Sequence, residues 1–276
     1  MGRLRRGLDA LIGSMLVLDT VLVYIFLYLP IGVLILYSFS ASRYALVWGG
    51  FSLEAYRRLF TDRDVALALL NSVIVASAST ALATLLGTML ALALERTRIR
   101  FQQGIEVLAY LPIVIPEIVM AVGLLLFFAQ VLRPVFGAVS PMLTVLIGHV
   151  TFSVSYVMVV VRARLRDLDR SLEEAALDLG ATPWQVLRKV TLPLLTPAIM
   201  SGALLAFTLS LDDFYVTYFS TTGGSGFKTL PLYLYALQWR AAVPPHVNAL
   251  ASLMLLASLA LIALALLMQR KAQLSR

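Results

Sequence analysis

Six long apolar runs separated by short polar stretches set the rhythm of this 276-residue chain; they fall near 17–39, 65–94, 105–128, 142–161, 194–219 and 247–268. Each is about 20 residues or more, the length a helix needs to cross a bilayer core. A membrane interior offers the backbone no partner, so such runs predict helices. Pro30 and Gly32 predict a kink in the first run, and Pro112 and Pro116 interrupt the third. The second is rich in Ala, Ser, Thr and Gly, small residues that let membrane helices approach closely. The pattern predicts an all-α membrane protein with six transmembrane helices in a single domain spanning 1–276.

The longest polar loop, 162–193, carries two helix-start signals in succession. Ser171 with Glu174 three residues on reads as a capping box, and Leu172, Ala175, Ala176 and Leu179 form one apolar stripe. Gly180 suits a left-handed stop after this short helix. Thr182, followed by Pro183 and then Gln185, opens a second helix. The loop is therefore a helix, an elbow and another helix held between two membrane spans.

Charge orients the chain. The net charge is +7, yet the basic residues lie in short loops beside the spans rather than on one continuous face, which argues against nucleic acid as a partner. Arg3, Arg5, Arg6, Arg96, Arg98, Arg100, the six basic residues of the 162–189 stretch, and Arg270, Lys271 and Arg276 share one side of a six-span topology. Arg43, Arg57, Arg58, Arg63, Arg133, Lys228 and Arg240 fall on the other. The excess predicts that both termini and the elbow are cytoplasmic. The apolar run after the basic start is too long for a signal-peptide core and reads as a retained anchor. With no cysteine there is neither a disulfide framework nor a thiolate metal site.

Acidic residues inside spans are costly, by at least about 2.5 kcal/mol on insertion scales, and so face cavities or partners. Glu117 follows Pro116 within the third run, where it either lines a pathway or bonds helices together. Asp212 and Asp213 stand side by side in the fifth. They read either as interfacial acids ending a helix or as a cation site, since the run 214–219 continues past them. On a helix the two would point about 100° apart. Phe214, Tyr215, Tyr218 and Trp239 nearby would suit an organic cation through cation–π contacts. His149 reads as a hydrogen-bonded packing residue, with no second ligand at metal spacing. No Gly-rich phosphate loop with Lys is present, so no ATP site is recognisable in this chain.

The spacing Glu174-Ala175-Ala176, three residues, Gly180, nine residues, Val190, one residue, then Leu192-Pro193 resembles the signature loop of inner-membrane permease subunits of ABC importers; Val190 replaces the usual Ile. Within that family the chain is similar to the second permease subunit of spermidine/putrescine importers. Ser42-Arg43-Tyr44, Trp48-Gly49-Gly50-Phe51, Pro116 to Ala121, Phe207 to Asp213, Leu230-Pro231-Leu232, Tyr235 and Val247 to Ala251 carry that likeness. Phe214-Tyr215 depart from it, replacing small aliphatics.

The resemblance implies a type I importer permease fold and a multi-pass place in the bacterial inner membrane. It implies a coupling helix, with Ser171, Glu173, Glu174, Ala175, Ala176, Asp178, Leu179 and Gly180 meeting an ATPase. The implied partners are a second permease subunit, two cytoplasmic ATPases that bind the ATP and Mg, a solute-binding protein and membrane lipid. The substrate path would use Glu117, Asp212, Asp213, Tyr215 and Trp239, and the chain itself would not be an enzyme. Another small organic cation or an amino-acid-like solute is the alternative cargo. An ATP-independent channel or secondary transporter would have no use for the signature loop. An intramembrane enzyme would need paired catalytic groups that the two adjacent aspartates do not supply.

Overall fold

The computed structural model describes all residues except 1, 43–46, 98–99, 222–225, 239–245 and 275–276, and the backbone alone for 2–12, 265–266 and 268–274. Among the described residues the regular structure is helical, apart from one isolated bridge between Ser40 and Phe51. In chain order the helices are α1 (Gly2–Ser38), α2 (Glu54–Thr61), α3 (Arg63–Arg96), α4 (Gln102–Val114), α5 (Glu117–Phe127) and α6 (Arg133–Phe136). Then follow α7 (Pro141–Arg166), α8 (Ser171–Asp178), α9 (Pro183–Val186), α10 (Leu192–Asp212), α11 (Tyr215–Ser220), α12 (Leu230–Gln238) and α13 (His246–Leu274). A π turn at Phe128–Leu132 joins α5 to α6, and another at Leu187–Thr191 joins α9 to α10. Among the described residues, six stretches are long and apolar enough to cross a membrane: Gly13–Ser38, Arg63–Arg96, Glu117–Phe136, Pro141–Arg166, Pro183–Asp212 and His246–Leu264.

The chain divides into two compact units. The first comprises Met1–Asp62 and Leu237–Leu255. In it Ser38 Oγ meets the Tyr56 hydroxyl at 2.7 Å, and Phe39 stacks on Phe51 with ring centroids 5.6 Å apart. These contacts fold the stretch after α1 back against α2.

The second unit, Arg63–Ala236 with Leu256–Arg276, holds the main core. Its centre is α3, α7 and α10, with Ala83, Ala91, Leu94, Val157, Met158, Val161, Leu165, Leu195 and Ala206 buried together. Small residues make this possible. A Cβ on Gly87 would lie 2.8 Å from Val157 Cβ and 2.9 Å from the Val154 carbonyl oxygen, so α3 and α7 touch almost backbone to backbone there. Gly148 is tighter still, with Val216 Cγ1 2.5 Å from where its Cβ would stand. A second cluster, Ala121, Phe152 and Val216, packs α5, α7 and α11 together.

Two expected spans are broken. The run near 105–128 is not one helix: α4 ends at Val114, and Ile115 and Pro116 are extended, with ψ of 134° and 132°. Pro116 is the cause, since its ring pushes the preceding residue out of the helical region. The run near 194–219 also splits. α10 stops at Asp212, Asp213 is extended with ψ of 132°, and α11 starts at Tyr215.

Candidate functional site

The two helix breaks meet. α5 and α11 pack against each other and bring Glu117, first residue of α5, beside Asp213, just before α11, close enough for the two carboxyls to interact. Asp213 is buried and held from several directions. Its Oδ1 accepts the Val216 N–H at 3.2 Å, while Oδ2 accepts the Thr217 N–H and the Thr217 hydroxyl, each at 2.9 Å. The side chain thus caps the open N–H groups of α11, a favourable place for an acid at a helix start. From α7, His149 Nε2 lies 3.1 Å from Asp213 Oδ2 and 3.0 Å from Thr217 Oγ1. Its other nitrogen, Nδ1, meets Ser210 Oγ at 2.6 Å, and Ser210 Oγ meets Ser79 Oγ of α3 at 3.0 Å. A buried polar chain therefore runs from α3 through α10 and α7 to α11. It satisfies groups that hydrocarbon would otherwise leave bare.

Asp212 turns elsewhere. It is exposed, and Ser258 Oγ of α13 lies 3.0 Å from Oδ1 and 2.8 Å from Oδ2. The two aspartates are not successive positions of one helix, since α10 ends at Asp212 and Asp213 is extended, and they bond to different helices. Beside them the aromatic residues form a connected group. Phe214 lies 5.3 Å from Tyr215, 5.5 Å from Tyr218 and 4.8 Å from Tyr235, centroid to centroid. Tyr215 and Tyr218 are 41% and 43% exposed, so ring surface remains open for a ligand. Trp239 lies outside the described residues. Glu117, Asp213 and the Phe214–Tyr235 aromatics are thus gathered at the breaks. Tyr235 joins the aromatic group from α12, a distant stretch with no local signal of that role. His149 and Ser258 become partners of the acids only through the fold.

The elbow forms a second cluster. α8 covers 171–178, but Ser171 does not cap it. Asp169 Oδ1 accepts the Ser171 N–H at 2.9 Å instead, and this bond holds the Asp169 carboxyl below the usual carboxylate range. The expected Ser171–Glu174 capping box is therefore corrected: an aspartate two residues upstream reaches the open N–H first. The C-terminal reading stands. Gly180 has φ of 87°, the Gly180 N–H bonds the Leu177 carbonyl at 2.9 Å, and the Ala181 N–H bonds that of Ala176 at 3.1 Å, a Schellman closure. Thr182 and Gln185 form the reciprocal box expected of them, at 2.8 Å and 3.4 Å.

α8 buries none of its residues. Ser171, Glu174, Ala175, Asp178 and Gly180 are exposed, Ala176 is half-buried, and Leu172, Leu179 and Trp184 are 49%, 89% and 66% exposed. The apolar stripe is left without a cover inside the chain, an arrangement suited to a partner surface. Glu173 alone of the acids points back into the chain. Arg96 Nη2 donates to Glu173 Oε1 at 3.1 Å, Arg96 Nε lies 3.1 Å from Oε2, and the Thr191 hydroxyl donates to Oε1 at 2.8 Å. Next to Arg96, Glu95 Oε1 takes Arg162 at 2.5 Å and Arg166 at 2.8 Å, and Arg162 Nη1 reaches Glu106 Oε1 at 2.7 Å.

Comparison with known proteins fits this architecture. The family of binding-protein-dependent transport system inner membrane components matches residues 83–273, and the chain belongs to that family of membrane permease subunits. Among curated relatives, the spermidine/putrescine transport system permease protein PotC of Haemophilus influenzae is 42% identical over 90% of this chain and 94% of its own length. The putrescine transport system permease protein PotI of Escherichia coli K12 is 42% identical over 84% and 82%. Among solved structures, a chain of a bacterial alginate ABC transporter in complex with its pentasaccharide-bound periplasmic protein superposes with a TM-score of 0.72 at 19% identity, covering 95% of each chain. A chain of the MetNI methionine ABC transporter, in an inward-facing conformation, gives 0.59 at 18% identity, covering 79% of this chain and 98% of its own. These likenesses establish the ABC importer permease fold, in agreement with the sequence reading.

Proposed function

We propose that this chain is the permease subunit of an ATP-driven polyamine importer in the bacterial inner membrane, moving spermidine or putrescine inward. It works beside a second, homologous permease subunit, with two cytoplasmic ATPases bound at the elbow and a solute-binding protein delivering cargo on the opposite side. ATP and Mg belong to the ATPases, and this chain has no catalytic role. The distribution of Arg and Lys supports cytoplasmic termini and a cytoplasmic elbow. The observation that carries the cargo reading is the meeting of two broken spans, where Glu117 and Asp213 come together beside Phe214, Tyr215 and Tyr218. Discontinuous helices with polar groups at the break are how many transporters build a path near the midplane. Carboxylates among aromatic faces favour ammonium groups, and relatives named for spermidine and putrescine transport align over most of this chain at 42% identity.

In this mechanism, closure of the ATPases around ATP displaces α8, and the spans pass from inward-facing to outward-facing in an alternating-access cycle. Glu117 and Asp212 give the cation weak, transient stops, because a tight site would hold its cargo. Tyr215 offers a ring face, and Asp213 fixes the break on which that face is mounted. The test is ATP hydrolysis by the reconstituted complex with its binding protein, comparing wild type with Asp212→Asn. Stimulation by spermidine or putrescine that falls in the variant supports the reading. Stimulation by a neutral or anionic solute instead, unchanged in the variant, leaves an importer but overturns the polyamine cargo.

A further inference from the structure

The elbow has to move the spans it is attached to, and its attachments are few. Among the described residues, α8 buries no residue and packs chiefly against α9 and the π turn at Leu187–Thr191, short segments of the same loop. Its apolar side chains face outward. One side chain of α8 reaches two other elements through polar bonds: Glu173, which ties the end of α3 through Arg96 and the π turn leading into α10 through Thr191. Glu173 and Arg96 are each 20% exposed, so the pair is partly shielded from water and stronger than a surface ion pair.

What lies behind Arg96 makes this contact more than a local staple. Glu95, its neighbour at the end of α3, is bonded to Arg162 and Arg166 of α7, and the Arg170 guanidinium, in the turn before α8, donates to the Glu95 carbonyl at 3.3 Å. Arg162 is buried, and it also grips Glu106 of α4. The dipeptide Glu95-Arg96 is therefore a junction. One residue holds the elbow, and the other holds α7, with Arg162 bringing in α4. α3, α7 and α10 in turn form the core of the unit, so a shift entering at this junction is carried by rigid, close-packed helices.

We propose that Glu173 is the strut that transmits displacement of the elbow to the membrane helices, through Arg96 into α3 and through Thr191 into α10. The proposal rests on the importer reading. It assigns Glu173 a positioning role distinct from that of the exposed Glu174, which faces away from the chain. Without the strut, α8 can follow the ATPases while the spans stay behind, so ATP is spent without cargo moving.

The experiment uses the complete importer, with both permease subunits, both ATPases and the binding protein, in proteoliposomes, with spermidine as the probe. It records spermidine taken up per ATP hydrolysed for wild type, Glu173→Ala, Arg96→Ala and the double variant, with co-purification of all subunits measured alongside. Each single variant is expected to lower the ratio by about fivefold or more, and the double variant to lower it no further than either single, because two ends of one strut are being cut. A purely structural role would reduce uptake and hydrolysis together, with less assembled complex, and leave the ratio unchanged; that result overturns the proposal. Independent, additive losses from the two single variants also overturn it. If the wild type responds to another solute on the binding protein and not to spermidine, the polyamine reading fails by itself, and the same ratio measured with that solute decides the strut.

Discussion

His149 Nε2 stands 3.1 Å from Asp213 Oδ2, a buried contact between the middle of α7 and the break that separates α10 from α11. It is one of several bonds that satisfy the two residues in a membrane interior, beside those of His149 to Ser210 and Thr217 and those of Asp213 to Val216 and Thr217. Asp213 caps α11, His149 bridges Asp213 to Ser210, and the break persists because both ends of it are bonded.

This contact predicts a ranking of stability. His149→Phe keeps the bulk of the ring but leaves Ser210 with Ser79 alone and Asp213 with the Val216 and Thr217 donors alone, and should destabilise the subunit by about 1–3 kcal/mol. Ser79→Ala removes only the far end of the chain and should cost about 0.5–1.5 kcal/mol. Thermal unfolding of the purified complex in one detergent measures both. Equal losses would show that the polar chain does not act through His149.

Close packing of α3 on α7 predicts a contrast between two glycines. Gly87→Val drives a branched side chain into Val157 and the Val154 carbonyl, and should cost about 1–3 kcal/mol, with lower yield of assembled complex. Gly104→Ala, in α4, meets nothing within 4 Å and should be neutral or stabilising by up to about 1 kcal/mol, from helix propensity alone. The same unfolding assay separates them.

At the carboxyl pair, Glu117→Gln removes an ionisable group but offers a donor to Asp213, so the helix break should survive. Spermidine-stimulated turnover should fall by about tenfold, the worth of one charge-assisted hydrogen bond to an ammonium group. Glu117→Asp should recover part of it. Ser258→Ala, which removes only a hydroxyl donor to Asp212, should have a smaller effect. A Glu117→Gln variant with wild-type turnover would take Glu117 out of the cation path.

Local signals were legible in the sequence; long-range pairings were not. The apolar runs predicted the six spans, because the demand for about 20 apolar residues is local and strict, but not all their bounds: the third, read near 105–128, is Glu117–Phe136, and the fifth, read near 194–219, is Pro183–Asp212. Gly180 and the Thr182–Gln185 box were readable because turn and cap chemistry lies within a few residues. The cap of α8 was misread because Asp169 and Ser171 both carry acceptors, and composition does not say which reaches an open N–H. The break at Asp213 left only an ambiguous mark, two adjacent acids of which one reading was a helix end. No Pro or Gly stands there, and the run 214–219 continues in apolar and aromatic residues, so only tertiary bonds from His149 and the capping of α11 interrupt the helix. Likewise Arg96 and Arg162 read as loop charges that set topology and Glu173 as part of the coupling helix, and their pairing with one another and with Glu95 exists only once α3, α7 and α8 are brought together.

The cap of α8 makes the elbow sensitive to acid, and the sign follows from Asp169. Its carboxyl is held below its ordinary value by the Ser171 N–H, so the folded form favours the charged state. A depressed folded value contributes stability that is fully present above the unfolded value, near about 3.9, and is lost as pH falls through the folded one. α8 should therefore fray as pH drops from about 5 towards 3, before the spans respond, since it has no buried residue to hold it. Hydrogen exchange across 171–178, corrected for the intrinsic pH dependence of exchange, reads this directly. Asp169→Asn retains an uncharged cap and should flatten the profile, whereas Asp169→Ala should expose α8 at every pH. A wild-type profile as flat as that of Asp169→Asn would mean that the carboxylate is not what starts the helix.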